Sequence, residues 1–488
     1  MAYTTISDSS AHFQTEIYTG TGSSQSITNT GNSNLRPDWL WIKKRGGGSD
    51  RAHQLYDSVR GTTKLIHSNT DAAESTTTTG LSTLNSDGFT VVSDDGANGN
   101  GNTYVGWQWA GAGTAPTQTY RVVVVSDGGN KYRWRNSGNT ATFAQSAVTL
   151  DLQEGGTYTI DGSDSTMDSH PIKLSTTSNG THGGGSSYNT GVVYKLDGST
   201  VTESAYVSGY ASATTRQLVI TVAASAPTLY YYCHYHSGMG GQINTNSTFG
   251  STNFDGSILS IVNANTTAGF SIATYTGNGS AATIGHGLNT APDVVIVKSR
   301  NNAVDWQVYI DAFGNDDDGL FLNTNAQKFT SSNYWNNGTT SSVFGVSSNT
   351  GVGANTYTYV AYSFSAIKGY SSFGTYQGTG NAEGPFIYTG FKPAWFLVKG
   401  YDITQNWQLW DSKRNASTPA PAIGNPRQRT LSPSVNDAES GDYDVDFCST
   451  GVKIRNSDGA WNGDGNNYTY WAFAECPLVA GGVVSTGG

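Results

Sequence analysis

Apolar and polar positions alternate in short runs along this chain, and one run is written three times. Pro37-Asp38-Trp39-Leu40-Trp41-Ile42-Lys43 returns as Pro292-Asp293-Val294-Val295-Ile296-Val297-Lys298 and again as Pro393-Ala394-Trp395-Phe396-Leu397-Val398-Lys399. Each copy is a proline, a spacer, four apolar residues rich in β-branched or aromatic types, and a lysine. Proline can open a strand, where its missing N–H costs no ladder bond. A short apolar run bounded by turn residues predicts a strand buried on both faces. The lysine is read as a strand end that snorkels out to solvent.

The flanks of the three runs also correspond. Each copy begins with a Tyr-x-Gly-x-Gly turn, at Tyr18 to Gly22, Tyr275 to Gly279 and Tyr376 to Gly380. After the proline strand comes a second block: His53-Gln54-Leu55-Tyr56-Asp57, Trp306-Gln307-Val308-Tyr309-Ile310-Asp311 and Trp407-Gln408-Leu409-Trp410-Asp411. Each copy closes on an asparagine-bearing turn and an aromatic strand, beginning at Asn102, Asn355 and Asn467. Four correspondences in one order predict a β-sandwich of the jelly-roll kind per copy. The copies are unevenly spaced, which leaves a long stretch between the first two with its own strands and turns. The predicted organisation is therefore four successive domains: repeat 1 at 1–113, an insert at 114–245, repeat 2 at 246–368, and repeat 3 at 369–488 ending in a flexible tail from Gly481.

Composition supports an all-β chain. There are 61 glycines in 488 residues and the charged share is 13%, about half the usual proportion. The surface must then be covered by hydroxyls, amides and aromatics more than by ion pairs. The 12 Trp and 28 Tyr supply enough apolar area for a core and argue against disorder. Given the repeated aromatic strands, most of them are expected inside. The net charge of −10 with scattered basic residues excludes a nucleic-acid footprint. No apolar run nears the roughly 20 residues that cross a bilayer, and the N-terminal residues carry no signal-peptide pattern. Three cysteines, Cys233, Cys448 and Cys476, do not make a disulfide framework. These features point to synthesis in a reducing cytoplasm.

The first repeat, with Tyr-Thr-Gly-x-Gly, Pro-Asp-Trp-Leu-Trp-Ile-Lys, Leu-Tyr-Asp-Ser-Val-Arg-Gly and Asn-Ser-Asp-Gly-Phe-Thr, resembles a domain of unknown function found in structural proteins of marine bacteriophages, notably those of cyanobacteria. The other two copies are similar except in the Leu-Tyr-Asp-Ser-Val-Arg-Gly block. The resemblance implies a virion protein: a tail fibre, capsid appendage or decoration protein. It would contact other virion proteins, form a homo-oligomer (a trimer if a fibre) and meet a host surface glycan or receptor. It implies no enzymatic activity.

The insert carries the one sharp constellation. It ends Tyr230-Tyr231-Tyr232-Cys233-His234-Tyr235-His236-Ser237-Gly238-Met239, with His170-Pro171 upstream. A thiolate and an imidazole three residues apart, a thioether three further on, and a distant imidazole can form a His2Cys set with a weak axial Met, which suits copper. The order His…Cys-x-x-His-x-x-Met resembles the cupredoxins. The resemblance implies a Greek-key sandwich with His170, Cys233, His236 and Met239 as ligands, and Thr157-Tyr158-Thr159-Ile160 as a strand ahead of the histidine. Cupredoxins commonly place an asparagine after the upstream histidine to brace the ligand loop, and here that position is Pro171. His182 is a second candidate for the upstream ligand.

Other chemistry is sparse. The loops Asp94–Asn100 and Asp458–Asp464 have oxygen ligands for calcium but read better as Asn-Gly hairpin turns, and Asp316-Asp317-Asp318 reads as a solvated loop. No Gly-x-Ser-x-Gly elbow, phosphate loop or His-Glu-x-x-His occurs. The sequence thus leads to a non-enzymatic particle protein, with a copper-binding protein and a carbohydrate-binding adhesin as the alternatives.

Overall fold

The computed structural model describes residues 4–414, 427–441, 445–477, 479–480 and 483–484; most of the predicted tail lies outside them. Strand outweighs helix by 43% to 6%, so the chain is all-β. It forms two compact units instead of four successive domains. One comprises Met1–Gly111, Ala264–Ala282 and Leu288–Gly488, and the other Ala112–Asn263 with Thr283–Gly287. Apart from 112–113, 246–263 and 283–287, which fall in the second unit, all three repeats belong to the first.

Each repeat contributes four neighbouring antiparallel strands in the same order, which in repeat 2 continue into Asp318–Phe321 and Phe329–Thr330. In repeat 1 the order is Phe13–Thr19, Thr103–Trp109, Trp39–Gly46, Gln54–Asp57. Repeat 2 has Phe270–Thr276, Thr358–Phe364, Val294–Ser299, Gln307–Ile310, and repeat 3 has Ser371–Gln377, Asn467–Pro477, Phe391–Gly400, Gln408–Asp411. The proline-led run is a central strand in every copy, as its apolar continuity requires. In repeats 1 and 3 a three-stranded sheet accompanies it, such as Gln25–Ile27, Phe89–Val91 and Leu81–Leu84.

The two faces of the proline strand serve different cores. Leu40 and Ile42 face inward to Tyr56, Phe89 and Val91, the interior of repeat 1 itself. Trp39 and Trp41, on the other face, join one large cluster containing Phe270, Ile296, Trp395 and Phe473 from the other repeats. At its centre lie the equivalent last aromatics of the closing strands, Trp109, Phe364 and Phe473, with ring centroids 5.6–6.4 Å apart. All twelve tryptophans are buried. Burying a large aromatic side chain stabilises by about 1.5–3 kcal/mol, so a single repeat, stripped of its partners, would expose several such rings. That is why the repeats do not separate into domains.

Polar contacts close the three repeats into a ring in a fixed order. The lysine after each proline strand is fully buried, at 1%, 0% and 0% exposure for Lys43, Lys298 and Lys399, and does not snorkel. Lys43 Nζ donates to the carbonyls of Lys44 and Arg51 and crosses to Asn436 of repeat 3. Lys298 Nζ donates to Ser299 and Val304 and crosses to Asp71 of repeat 1. Lys399 Nζ donates to Gly400 and crosses to Asn325 of repeat 2. An ammonium has three N–H donors and no acceptor, so a cage of carbonyls satisfies it. The first residue of the second block makes the same circuit: His53 Nε2 meets Ser432 O at 3.0 Å, Trp306 Nε1 donates to His67 O at 2.9 Å, and Trp407 Nε1 to Phe321 O at 3.0 Å.

The inserted unit is a two-sheet sandwich. One sheet runs Asn130–Trp134, Thr117–Ser126, Thr157–Asp161, Arg216–Thr221, Val192–Leu196, Ser199–Val201, and the other Leu150–Gln153, Gly241–Asn246, Leu229–Cys233, Ile172–Ser175. Parallel pairs, Thr117–Ser126 with Thr157–Asp161 and Leu150–Gln153 with Gly241–Asn246, show that the chain crosses between sheets as a Greek key does. Trp134, Tyr158, Ile160 and Leu218 from one sheet pack with Leu152, Leu174, Tyr231 and Ile243 from the other.

Candidate metal centre

In the four-stranded sheet of the insert, Ile172 pairs with Cys233, the last residue of its strand. His170 sits two residues before that pairing, so register alone brings it to the same sheet end as the thiol. His236 returns from the loop after Cys233. Cys233 Sγ lies 3.8 Å from His170 Nδ1 and 3.5 Å from His236 Nδ1, and the two imidazoles stand with centroids 4.6 Å apart. The three candidate ligand atoms fall within 4.8 Å of one another, the one such cluster of three His, Cys or acidic groups among the described residues. Cys233 is wholly buried and His170 nearly so, while His236 is exposed.

The spacing can be tested against a metal. With a metal–sulfur bond of about 2.3 Å, a metal–nitrogen bond of about 2.0 Å, and an angle of about 110–120° between them, sulfur and nitrogen stand about 3.5–3.7 Å apart. The observed separations agree. A thiolate with two imidazoles is a soft donor set, so the residues fit copper. Burial, and then the His236 ring beside it, lower the pKa of His170, which favours the neutral imidazole that binds metal.

Hydrogen bonds fasten the loop. His234 N donates to Pro171 O at 2.9 Å and Tyr132 N to Met239 O at 3.0 Å. Asn179, in left-handed conformation with φ 61°, donates to Ser237 Oγ and accepts from Gly238 N, both at 2.8 Å. Met239 is buried in the same core as Cys233. His182 does not join the cluster, because its Nε2 meets the Cys233 carbonyl at 3.1 Å. Of the two histidines it is His170 whose ring faces the Cys233 sulfur. The strand Thr157–Asp161 precedes it, where the cupredoxin resemblance requires one.

Beside the cluster is a polar network that no motif announced. Lys173, buried on the strand after His170, forms an ion pair with Glu203 and lies 3.4 Å from His234 Nδ1. Burial pushes the Glu203 carboxyl up, but Lys173, Ser187 and Asn189 outweigh it and hold the pKa down to about 2. Lysine-to-glutamate contacts of this kind leave no spacing signature in a sequence.

The remaining acidic candidates are internal clamps. Asp94 accepts from Gln54 and Gly96, and Asp95 from Asn102 with Lys44 and Arg51 beside it. Asp458 caps a short helix at Ala460. Asp318 is not solvated: it is buried against Lys328 and Thr330. Cys233 and Cys448 are free thiols.

The family DUF7483, a domain of unknown function, matches residues 8–131 and 244–477, on both sides of the insert and over more than half of the chain. The chain belongs to the DUF7483 family. The matched segments hold all three repeats, so the family's sequence pattern follows the repeat unit and passes over most of the inserted sandwich, the metal-ligand candidates included. No curated protein and no solved structure matches it.

Proposed function

We propose that the inserted unit of this DUF7483 protein binds one copper ion through Cys233, His170 and His236, with Met239 as a weak fourth ligand. The observation that carries this reading is the convergence of three ligand atoms within 4.8 Å at the end of a rigid sheet. A bound copper would supply one-electron chemistry; the buried sulfur, the two facing Nδ1 atoms and the pinned loop would keep the ligands in place in either state. The purified protein is expected to take up one equivalent of Cu(II), developing an intense thiolate-to-copper visible band that Cys233→Ala abolishes. A colourless wild type after Cu(II) addition would overturn the assignment. Tight uptake of Zn(II) with no such band would reassign the site to zinc.

The repeat unit supports a second reading, in which the chain is a non-enzymatic structural component of a phage virion, made in the host cytoplasm. What favours it is the ring of buried lysines and aromatics that ties three repeats into one body. Such a body suits a tail fibre, appendage or decoration protein that must hold its shape while contacting other virion proteins or a host glycan. The two readings are compatible, with the copper unit carried on the structural one. Particles of the encoding phage should contain the chain in a fixed copy number by quantitative mass spectrometry. Its absence from purified particles would sink the virion reading and leave copper binding untouched.

A further inference from the structure

We infer that Tyr132 is the residue that positions the ligands of this centre, a role resting on the metal reading above but visible without metal. Tyr132 belongs to the strand Asn130–Trp134 of the six-stranded sheet, opposite the sheet that carries Cys233, and is fully buried. Its hydroxyl donates to the backbone carbonyl of His170 at 2.9 Å. Its backbone N–H donates to the carbonyl of Met239 at 3.0 Å, and its own carbonyl accepts from Ala147 N at 3.0 Å. Tyr132 also lies in the same buried cluster as Cys233. One residue thus touches the segment of the upstream ligand, the thiol's surroundings and the end of the ligand loop.

The chemistry explains why such a residue is required. Pro171 follows His170 and has neither an N–H nor a polar side chain, so the ligand segment cannot brace itself from that position. In this segment His170 N donates to Met167 O at 2.7 Å and Pro171's carbonyl accepts from His234 N at 2.9 Å. The His170 carbonyl would be a buried acceptor without a partner, which is costly, and the tyrosine hydroxyl reaches across the sandwich to fill that need. Because Tyr132 sits on a paired strand, opposite Val124, it fixes His170 relative to the whole sandwich and not merely to the neighbouring loop. Tyr132 is a positioning residue and does not itself ligate.

The test compares Tyr132→Phe with Tyr231→Phe, each of which deletes one buried tyrosine hydroxyl bonded to a carbonyl; the Tyr231 hydroxyl donates to Val148 O at 2.7 Å and meets Trp134 Nε1 at 3.4 Å, neither of them part of a ligand segment. Both are made in the full chain with Cys448 and Cys476 replaced by serine, so that a thiol reagent reports on Cys233 alone. In metal-free protein, Tyr132→Phe should react about fivefold faster than wild type, the opening expected for one lost hydrogen bond. Tyr231→Phe should react at the wild-type rate. With Cu(II), Tyr132→Phe should bind roughly 10–100-fold more weakly, the range for loss of an outer partner of a ligand, and its visible band should shift. Equal thiol rates in Tyr132→Phe and wild type, or an equal acceleration in Tyr231→Phe, would overturn the positioning role. A wild type that never binds copper would instead overturn the metal reading, while the thiol rates would still decide the role of Tyr132.

Discussion

Repeat 2 already contains a substitution that can be copied into repeat 3. Asp411 and Arg414 are both fully buried, joined from Arg414 Nε to Asp411 Oδ2 at 2.5 Å. Trp107 of repeat 1 donates its Nε1 to the same oxygen at 2.9 Å. Repeat 1 has the same arrangement, with Asp57, Arg60 and, from repeat 2, Tyr362. In repeat 2 the register position of the aspartate is Ile310, paired with Val294 as Asp411 is with Trp395, and Phe313 stands where the arginine would be. Correspondingly, Trp471, the repeat 3 counterpart of Trp107, has a buried Nε1 with no acceptor among the described residues. The single variant Asp411→Ile should destabilise by about 3–5 kcal/mol, since it removes the nearer carboxylate from a buried guanidinium and leaves it only Glu439, at 3.2 Å, as a charged partner. Arg414→Phe should cost a similar amount by stranding the carboxylate. The double variant should cost only about 1–3 kcal/mol, the loss of an acceptor for Trp107, because Glu439 keeps Arg45 at 2.8 Å. Urea unfolding followed by tryptophan fluorescence reads this directly, as every tryptophan except Trp134 lies in the repeat unit. The carboxyl of Asp411 is pushed up by burial but held below its usual pKa, chiefly by Arg414. Its contribution is therefore present above about pH 4 and fades as pH falls through the folded value, so the double variant should lose less stability in acid than wild type. A double variant as unstable as the sum of the two singles would refute the pairing argument.

Two further outcomes follow from particular positions. Burial lowers the pKa of Lys43, Lys298 and Lys399 to about 8 each, below the unfolded value of about 10.4. The folded state then binds fewer protons between those limits, so urea midpoints should rise from about pH 8 to about pH 10, and a flat or falling profile in wild type would count against it. At Gly240 an added Cβ would stand 1.7 Å from Tyr231 O, so Gly240→Ala should displace Met239 and weaken copper uptake with every ligand intact. Unchanged affinity would show that the loop end does not matter.

The metal candidates were legible because their chemistry is encoded in spacing. Cys233 and His236 are three residues apart, and the turn after a strand brings such a pair together whatever surrounds it. His170 and His182 could not be separated by sequence, since the choice depends on the Ile172–Cys233 register and on a carbonyl that engages His182. Tyr132 was illegible for a different reason: it is one of 28 tyrosines, and its role comes from the strand that faces the ligands. The lysines were misread because a lysine is rarely buried, and nothing local reveals that carbonyls from two repeats will meet around it.

The union of the repeats was present in the sequence as an unanswered demand. A strand at the core of one sandwich has a single inner face, so its other face can be polar, and alternation should be visible. Trp39-Leu40-Trp41-Ile42 shows none. Continuous apolar character in such a strand requires a second core, and one repeat of about a hundred residues has nothing with which to build it. The other repeats must supply it, as Tyr362 does by stacking on Trp39 at 4.5 Å. Once the second face is accounted for, three copies of the same strand imply three mutual interfaces. A cyclic order is the only arrangement in which all three copies use equivalent surfaces. The buried lysines, the Trp306 and Trp407 indoles with His53, and the Trp107 and Tyr362 donors all obey that order. It breaks only at Trp471, where Ile310 has replaced the acceptor.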